Sequence, residues 1–343
     1  MPHLMRGDPA PWFTGTTISN PDFVFNTIAG RSVVMCFIGS AADPAARLDV
    51  DRLYKRDTIF DDQRASLLVV TTDPEDVNAR RLAERTPGCR VFLDFERKLS
   101  ALYGAWDEAS QTYRRMTLVL DRNLRALASF STGAEPHADR VVEFLERQPK
   151  FGSVGIEPAP APVLVLPSVF EPEFCRTLID LFDASGGVEG MLLVRNPATG
   201  QLENRIDRTI KRRYDHRLVD AAAVDGVTSR FARRLFPEIR KVFQFDVKAA
   251  DEYYVCRYDA AESGYFRPHR DNSTAETEAR RFALTVNLNT EEYEGGDLRF
   301  LEFDSRAYRP STGGAAVFSC SLLHEVQPVT RGRRYAVVTF FYG

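Results

Sequence analysis

The sequence lacks the cysteine pattern of a small secreted fold or of a zinc ribbon. Its 343 residues include five cysteines, which are far apart and form no C-x-x-C motif. This distribution argues against a disulfide framework and against a structural zinc site, and it favours a reducing cytoplasm. Three of the five stand in apolar, strand-like segments and are predicted to be small buried residues: Cys36, Cys256 and Cys320.

The chain also lacks a long apolar run and a strong excess of either charge. No stretch approaches the length of a membrane-spanning helix, and the N-terminal MPHLMRGDPAPWF has no apolar signal core. The formal net charge is -3, with 27% charged and 44% hydrophobic residues. This balance is typical of a globular protein and predicts neither a membrane nor a nucleic-acid partner.

Strand-like and helix-like segments alternate through the first half of the chain. The apolar patterns predict buried strands at 33–40, 66–72 and 89–95, helices at 44–57, 74–88, 96–105 and 137–148, and a hairpin at 116–130. Such alternation predicts an α/β domain over residues 1–149. Residues 150–162, KFGSVGIEPAPAP, are rich in Gly, Pro and Ala and predict a semi-rigid linker.

The second half, residues 163–343, has a different pattern. Helical segments are predicted at 172–185 and at about 225–243, and short strands with glycine turns follow from 253. In RFALTVNLN (281–289), alternate residues fall on opposite faces, with Leu284 and Val286 on one and Thr285 and Asn287 on the other. Short strands of this kind predict an antiparallel barrel or jelly roll.

One short stretch of this half, YFRPHRDNS, carries chemistry. In an extended chain His269 and Asp271 point to the same face, so an imidazole and a carboxylate converge. His324 is the one histidine that follows them, just after a strand and a short turn. Two histidines and one carboxylate suit non-haem Fe(II), because they leave coordination positions open, and the same set can hold catalytic zinc.

An arginine accompanies these three residues. Arg334 opens the apolar strand YAVVTFFY, and an arginine facing into a small barrel is costly without an anion. A bound dicarboxylate could supply that anion through a forked pair. The neighbouring Arg331 and Arg333 are interpreted as a solvated turn.

These motifs carry a family resemblance over roughly 90 residues. The pattern Y258-x5-G264-x-F266-x2-H269-x-D271, then VNLN (286–289), EGGDLRF (294–300) and HEVQPVTRGRRY (324–335), resembles the Fe(II)/2-oxoglutarate-dependent dioxygenases of the prolyl 4-hydroxylase-like group. The resemblance implies an α+β domain built on a double-stranded β-helix (a jelly roll). It implies iron bound by His269, Asp271 and His324, Arg334 on the distal carboxylate of 2-oxoglutarate, and Tyr258 near that cosubstrate.

The resemblance also implies a reaction and leaves the substrate open. Fe(II), 2-oxoglutarate and O2 would hydroxylate an aliphatic C–H and release succinate and CO2, with ascorbate as a candidate reductant. A carboxylate at 271 favours hydroxylation over halogenation. The substrate could be peptidyl proline, an amino acid or another small molecule. One departure is Asn287, where many members carry a tyrosine that contacts 2-oxoglutarate.

A basic segment precedes these motifs. Residues 204–220, NRIDRTIKRRYDHRLVD, contain seven basic residues interleaved with aspartates. The preferred interpretation is a solvated surface segment; the alternatives are a helix with a basic face or a lid that gates an anionic substrate. Aromatic residues for stacking on bases are sparse here, which argues against a nucleic-acid groove.

The first half resembles the peroxiredoxin branch of the thioredoxin fold. GDPAPWF (7–13), SVVMCFIGS and TLVLDRNLRALASF carry this resemblance, yet the loop GSAADPAAR (39–47), where active members hold a reactive cysteine, has none. A redox-inactive domain used for homodimerisation, substrate presentation or partner docking is therefore expected. Two alternatives to an oxygenase remain: a thiol-dependent peroxidase, and a non-enzymatic iron-binding scaffold.

Overall fold

The computed structural model describes residues 4–131, 137–148, 159–195 and 202–343. The chain divides into two compact units, residues 1–158 and 159–343. Most of the predicted linker, residues 150–158, lies outside the described residues. The domain limits at residues 149 and 163 therefore stay predictions. Within the described residues, no helix is long and apolar enough to cross a membrane.

The first unit alternates strands and helices along the chain. Its strands are β1 (Thr14–Gly15), β2 (Phe23–Val24), β3 (Ser32–Gly39), β4 (Ala65–Thr71), β5 (Cys89–Leu93), β6 (Trp106–Asp107), β7 (Thr112–Tyr113), β8 (Met116–Leu120) and β9 (Ala126–Ser131). Its α-helices are α1 (Pro44–Tyr54), α2 (Glu75–Asn78), α3 (Lys98–Leu102) and α4 (His137–Glu146), and a 3-10 turn spans Phe25–Ile28.

A mixed five-stranded sheet forms the centre of this unit. Its order is β5-β4-β3-β8-β9, with β3, β4 and β5 parallel and β8 and β9 antiparallel. The apolar runs of β3 and β4 are buried, as expected of strands covered on both faces. Apolar residues of α1 and α4 pack on one face of the sheet. The predicted thioredoxin-like α/β fold and the hairpin at 116–130 are confirmed.

The helix predicted at 74–88 is wrong in extent. α2 covers only Glu75–Asn78, because Arg80 adopts a left-handed backbone conformation with φ 52°. The fully buried Asp76 is tied to the sheet, since it accepts hydrogen bonds from Ala41 N and Thr71 Oγ1. Its carbonyl also accepts from the amides of Arg81 and Leu82, which turns the chain away from the helix axis. Tertiary hydrogen bonds override the helical periodicity here.

The second unit consists of helices followed mainly by short strands. Its α-helices are α5 (Pro172–Ser185), α6 (Ala221–Arg230) and α7 (Phe236–Phe243), with a π-turn at Phe231–Leu235 and 3-10 turns at Ala260–Glu262 and Thr290–Glu292. Its first strands are β10 (Leu164–Leu166), β11 (Val188–Glu189), β12 (Leu192–Arg195), β13 (Leu202–Arg205), β14 (Lys211–Arg212), β15 (Tyr214–Arg217), β16 (Ala249–Ala250) and β17 (Tyr254–Asp259). The remaining strands are β18 (Tyr265–His269), β19 (Phe282–Asn287), β20 (Glu294–Gly295), β21 (Leu298–Phe300), β22 (Ala307–Tyr308), β23 (Ala315–Ser319), β24 (His324–Val326), β25 (Val329–Arg331) and β26 (Arg333–Tyr342).

Two antiparallel sheets form the jelly roll that was predicted. The larger has the order β10-β23-β19-β26-β17-β15-β11, with β16 on β26, and the smaller has the order β14-β18-β24-β21-β22. Their inner faces share one apolar cluster, in which Tyr258 and Phe318 of the larger sheet meet Phe300 and Val326 of the smaller. The helices cover the outer face of the larger sheet.

The alternation predicted for residues 281–289 is confirmed and explains where the site lies. Leu284 and Val286 pack into the cluster under the helices. Thr285 and Asn287 are buried on the opposite face, which looks toward the smaller sheet. A strand covered on both faces therefore carries polar side chains on one of them, and these must find polar partners inside the jelly roll.

Candidate metal centre and anion pocket

Two neighbouring strands bring three candidate ligands together. β18 and β24 are antiparallel, and His269 lies directly opposite His324 in their register. Asp271 follows two residues later, where its backbone amide donates to the Cys320 carbonyl at 3.0 Å. The Asp271 carboxylate oxygens lie 3.5 Å from Nε2 of His269 and 3.4 Å from Nε2 of His324. The structure thus brings together the three residues predicted as metal ligands.

Backbone carbonyls orient both imidazole rings. Nδ1 of His269 lies 2.7 Å from the Arg267 carbonyl, and Nδ1 of His324 lies 3.0 Å from the Leu322 carbonyl. Because a carbonyl only accepts, each Nδ1 carries the hydrogen and each Nε2 keeps its lone pair. In both rings the lone pair is therefore on the nitrogen that lies beside Asp271. A histidine that binds a metal through Nε2 is in this tautomer.

Burial opposes charge at His269 and at Asp271. Burial, together with the neighbouring His324, lowers the pKa of His269, so its imidazole is neutral. Burial raises the pKa of Asp271, although His324 and nearby arginines act against this rise. A bound cation would compensate the carboxylate. The three ligand atoms lie within 4.8 Å of one another, and an N,N,O donor set fits Fe(II).

Arg334 lines the same cavity as the three candidate ligands, and this cavity has a volume of about 430 Å³. The arginine is 3% exposed and donates to Asn287 Oδ1 at 3.0 Å and to Thr285 Oγ1 at 3.2 Å. Asn287 is itself fixed, since its Nδ2 donates to the Pro310 carbonyl. Within the described residues, the guanidinium has neutral acceptors and forms no ion pair.

Tyr258 stands between two arginines. It is 2% exposed and pairs with Arg334 across β17 and β26. The guanidinium carbon of Arg334 is 5.2 Å from its ring centroid, and that of Arg213 is 5.9 Å away. Its hydroxyl accepts from Arg213 Nη1 at 3.3 Å. Burial raises the pKa of Tyr258, so its phenol is neutral and can donate to an anion in the cavity.

The preferred interpretation of residues 204–220, a solvated surface segment, is wrong for two basic residues that line the cavity. The segment forms strands β14 and β15 where a helix was one alternative, and two of its basic residues, Lys211 and Arg213, line the cavity. Lys211 is 5% exposed, and Asp215 lines the cavity beside them. The missed signal is the i, i+2, i+4 spacing of these three residues, which places them on one face of an extended chain.

Among the described residues of the first unit, no group of three metal-capable side chains surrounds the cysteines. Burial raises the pKa of the Cys36 thiol to about 11, and Cys36 accepts a hydrogen bond from Thr117 Oγ1 at 3.4 Å. Burial also raises the pKa of Cys89. In the 39–47 loop, Ser40 donates to Asp73 at 2.6 Å. Both thiols are therefore protonated and buried, the opposite of what a reactive cysteine needs.

Sequence comparisons assign the two units to different families. Residues 253–342 match the 2OG-Fe(II) oxygenase superfamily. The second unit contains an oxygenase domain of that superfamily. Residues 6–126 match the AhpC/TSA family, so the first unit contains a peroxiredoxin-like domain. Both resemblances seen in the sequence are confirmed.

Curated relatives match the oxygenase domain over a limited length. The multifunctional procollagen lysine hydroxylase and glycosyltransferase LH3 of Rattus norvegicus is 42% identical over 91 residues, which is 25% of this chain and 11% of the relative. Procollagen-lysine,2-oxoglutarate 5-dioxygenase 1 of the same organism is 34% identical over 111 residues, 31% of this chain and 14% of the relative. The chain thus spans only about a tenth to a seventh of these relatives.

Solved structures resemble each unit separately. A Pseudomonas putida prolyl-4-hydroxylase is 19% identical, with a TM-score of 0.40, covering 53% of this chain and 92% of that one. Mycobacterium tuberculosis AhpC is 19% identical, with a TM-score of 0.36, covering 42% of this chain and 93% of that one.

Proposed function

We propose that this protein is a 2-oxoglutarate-dependent dioxygenase that hydroxylates an aliphatic C–H of an amino-acid-like, peptidyl or small-molecule substrate. One observation carries the proposal. Three convergent metal-capable side chains share a cavity with a buried arginine whose partners are neutral, in a domain that matches the 2OG-Fe(II) oxygenase superfamily. His269, Asp271 and His324 would hold Fe(II).

Arg334 would bind the distal carboxylate of 2-oxoglutarate. Asn287 and Thr285 hold the guanidinium in place without neutralising it, so a carboxylate gains a charge-assisted pair with a preoriented donor. The neutral phenol of Tyr258 lies beside the guanidinium and would supply one further hydrogen bond. Asn287 stands where a family tyrosine is frequent, and it orients Arg334.

The bound iron and 2-oxoglutarate would supply the chemistry, in which O2, the oxo acid and the substrate C–H yield succinate, CO2 and an alcohol. The protein supplies position and surroundings. The Arg267 and Leu322 carbonyls hold both imidazoles with Nε2 toward the metal position. Phe266 stacks on His269, with ring centroids 3.5 Å apart, and shields that ligand on one side.

The relatives and the cavity size both bear on the substrate class. The relatives named above are procollagen lysine hydroxylases, and their names favour an amino-acid or peptidyl C–H. A cavity of about 430 Å³ is near the small end of ligand sites, so it favours a side-chain-sized substrate group over a large molecule.

The thiol-peroxidase alternative is not favoured. It needs a thiolate in an accessible site, whereas Cys36 and Cys89 are buried and their pKa values are raised. An iron-binding scaffold would contain the same three ligands, and only turnover separates it from an enzyme.

The proposal extends to the location, reductant and partners of the protein. All five cysteines are free and buried, which supports the reducing cytoplasm as its location. Use of ascorbate as a reductant, homodimerisation through the first unit and the lack of a nucleic-acid partner stay predictions from the sequence.

The direct test is formation of succinate from 2-oxoglutarate by the Fe(II)-loaded protein, followed by NMR with a panel of candidate substrates. We expect turnover in the wild type and none in His324→Ala. His216→Ala, a half-buried histidine outside the cavity, is the matched control and should retain turnover. Iron binding without succinate across the panel would favour the scaffold.

A further inference from the structure

A second cationic group lies in the oxygenase cavity, separate from Arg334. The Lys211 ammonium is buried and donates to the Met191 carbonyl at 2.6 Å. Its distance to Asp215 Oδ2 is 3.8 Å, which is too long for a hydrogen bond. An ammonium has three N–H donors, so Lys211 keeps donor capacity toward the cavity that it lines.

The single nearby carboxylate cannot balance both cations. Arg213 engages both oxygens of Asp215, with Nε 2.6 Å from Oδ1 and Nη2 3.1 Å from Oδ2. Glu189, the other acidic residue at this end of the cavity, is held by Arg208 at 2.7 and 2.9 Å. Lys211, Arg213 and Asp215 therefore leave one positive charge in excess in a buried place, which is costly without a bound anion.

The excess positive charge of Lys211 and Arg213 lies next to the candidate metal centre, because both cations contact the ring of Phe266. The Lys211 ammonium lies 5.3 Å from the Phe266 ring centroid and the Arg213 guanidinium 5.7 Å from it. Phe266 in turn stacks on His269 with an interplanar angle of 16°. Arg213 also contacts Tyr258 on the side of the cavity that leads to Arg334. Arg280, which also lines the cavity, is paired with Asp251 at 2.7 Å. Two positive positions thus remain for ligands, and one 2-oxoglutarate needs only one of them for its distal carboxylate.

We propose that Lys211, supported by Arg213, binds a carboxylate of the substrate, which makes the substrate a carboxylate-bearing amino acid. This rests on the proposed function and adds the group that the second positive position recognises. The carboxylate is either the free α-carboxylate of an amino acid or the side chain of an acidic residue in a peptide. Asp215 holds Arg213 in place, and Lys211, which shares the same carboxylate at 3.8 Å, supplies the charge that Asp215 does not balance.

The test uses the whole protein, loaded anaerobically with Fe(II) and 2-oxoglutarate, and follows the visible charge-transfer band of that complex. L-leucine, L-lysine and L-glutamate are titrated against their amides, and a blocked pentapeptide containing glutamate against its glutamine counterpart. We expect at least one acid to shift the band at lower concentration than its amide. A free amino acid and the peptide separate the two sources of the carboxylate.

Variants at position 211 then separate recognition from structure. In Lys211→Met we expect the affinity for the active acid to fall about ten- to a hundredfold, because one charge-assisted hydrogen bond is lost. The affinity for 2-oxoglutarate should not change. Lys211→Arg should recover part of the acid affinity. Lys248→Met, at an exposed lysine outside the cavity, is the matched control and should behave as wild type.

Three results would overturn the proposal while leaving the oxygenase assignment intact. The first is a normal band with no response to any acid. The second is equal binding of acids and amides, or an equal loss of both in Lys211→Met. The third is a tenfold or larger loss of 2-oxoglutarate affinity in Lys211→Met, which would assign Lys211 to the cosubstrate. Absence of the band in the wild type would instead reject the proposed function itself.

Discussion

The two units differ in how their buried polar groups are satisfied. In the first unit, Asp62 is engaged bidentately by Arg90, and Asp76 accepts from Ala41 and Thr71. In the oxygenase domain, Arg334 has only neutral partners, and three ligand atoms converge with Nε2 lone pairs facing a carboxylate. Buried groups that satisfy one another need no ligand, whereas a buried charge with only neutral partners and converging lone pairs indicate one.

The largest expected effect is at the metal ligands. His269→Ala removes one of three ligands, so Fe(II) binding and 2-oxoglutarate turnover should fall to background, at least about a thousandfold below wild type, since the ligands act together. Equilibrium dialysis with Fe(II) and succinate formation measure the two losses. Retained turnover in a folded His269→Ala would contradict the assignment of the metal centre.

The next effect concerns Arg334. Arg334→Gln should weaken 2-oxoglutarate binding about a hundredfold, because a charge-assisted pair with the distal carboxylate is lost, while Fe(II) binding is unchanged. Arg331→Gln, at an exposed arginine paired with Glu294, is the matched control and should have no effect. A 2-oxoglutarate affinity within about threefold of wild type in Arg334→Gln would remove the anion role.

A smaller effect is expected at Asp62, a carboxylate of the first unit that is paired with Arg90. Burial raises the pKa of Asp62, but hydrogen bonds from Arg90 and Ser66 outweigh it and lower the pKa from 3.8 to about 2. The folded pKa is depressed, so this stabilisation, roughly 2 kcal/mol, is present above pH 3.8 and is lost as the pH falls through 2. Asp62→Asn should therefore lose it at pH 7.

Tryptophan fluorescence during urea unfolding measures this loss, because both tryptophans, Trp12 and Trp106, lie in the first unit. Asp139→Asn, at an exposed pair with Arg56, is the control, with an expected change below about 0.5 kcal/mol. Equal destabilisation by the two variants at pH 7 would show that Asp62 is not specially held.

The smallest expected effect is at Cys36. Because its thiol is buried and protonated, the metal-free protein should consume peroxide with dithiothreitol no faster than buffer, and Cys36→Ser should make no difference. Peroxide consumption followed over time measures this. A rate of peroxide consumption above that of buffer, lost in Cys36→Ser, would show that the first unit is a peroxidase. The two units would then both carry a reactive site.

Much of the fold and the candidate metal centre could be predicted from the sequence. Alternation in β19 separated Leu284 and Val286 from Thr285 and Asn287, since the side-chain period of a strand is two. The spacing of His269 and Asp271 and the position of His324 predicted a centre suited to iron or zinc, and Arg334 predicted an anion partner. The family resemblance then implied iron and 2-oxoglutarate. Antiparallel pairing of β18 with β24 brings these ligands together.

The length of α2 and the burial of Lys211 and Arg213 could not be predicted, because they depend on tertiary contacts. The helix predicted at 74–88 ends after Asn78, because the Asp76 side chain accepts hydrogen bonds from Ala41 N and from Thr71 in β4. Lys211 and Arg213 stand in a charge-rich segment typical of a surface, and only the sheet register turns them into the cavity. Local pattern does not reveal which face of a short charged strand is buried.

The central claim is tested most directly by anaerobic titration of the apo-protein with Fe(II) and then with 2-oxoglutarate, followed by visible absorption. The charge-transfer band should appear only when both are present, and it should be absent in His269→Ala. A folded wild-type protein that binds Fe(II) without giving the band, or a band that persists in His269→Ala, would contradict the account.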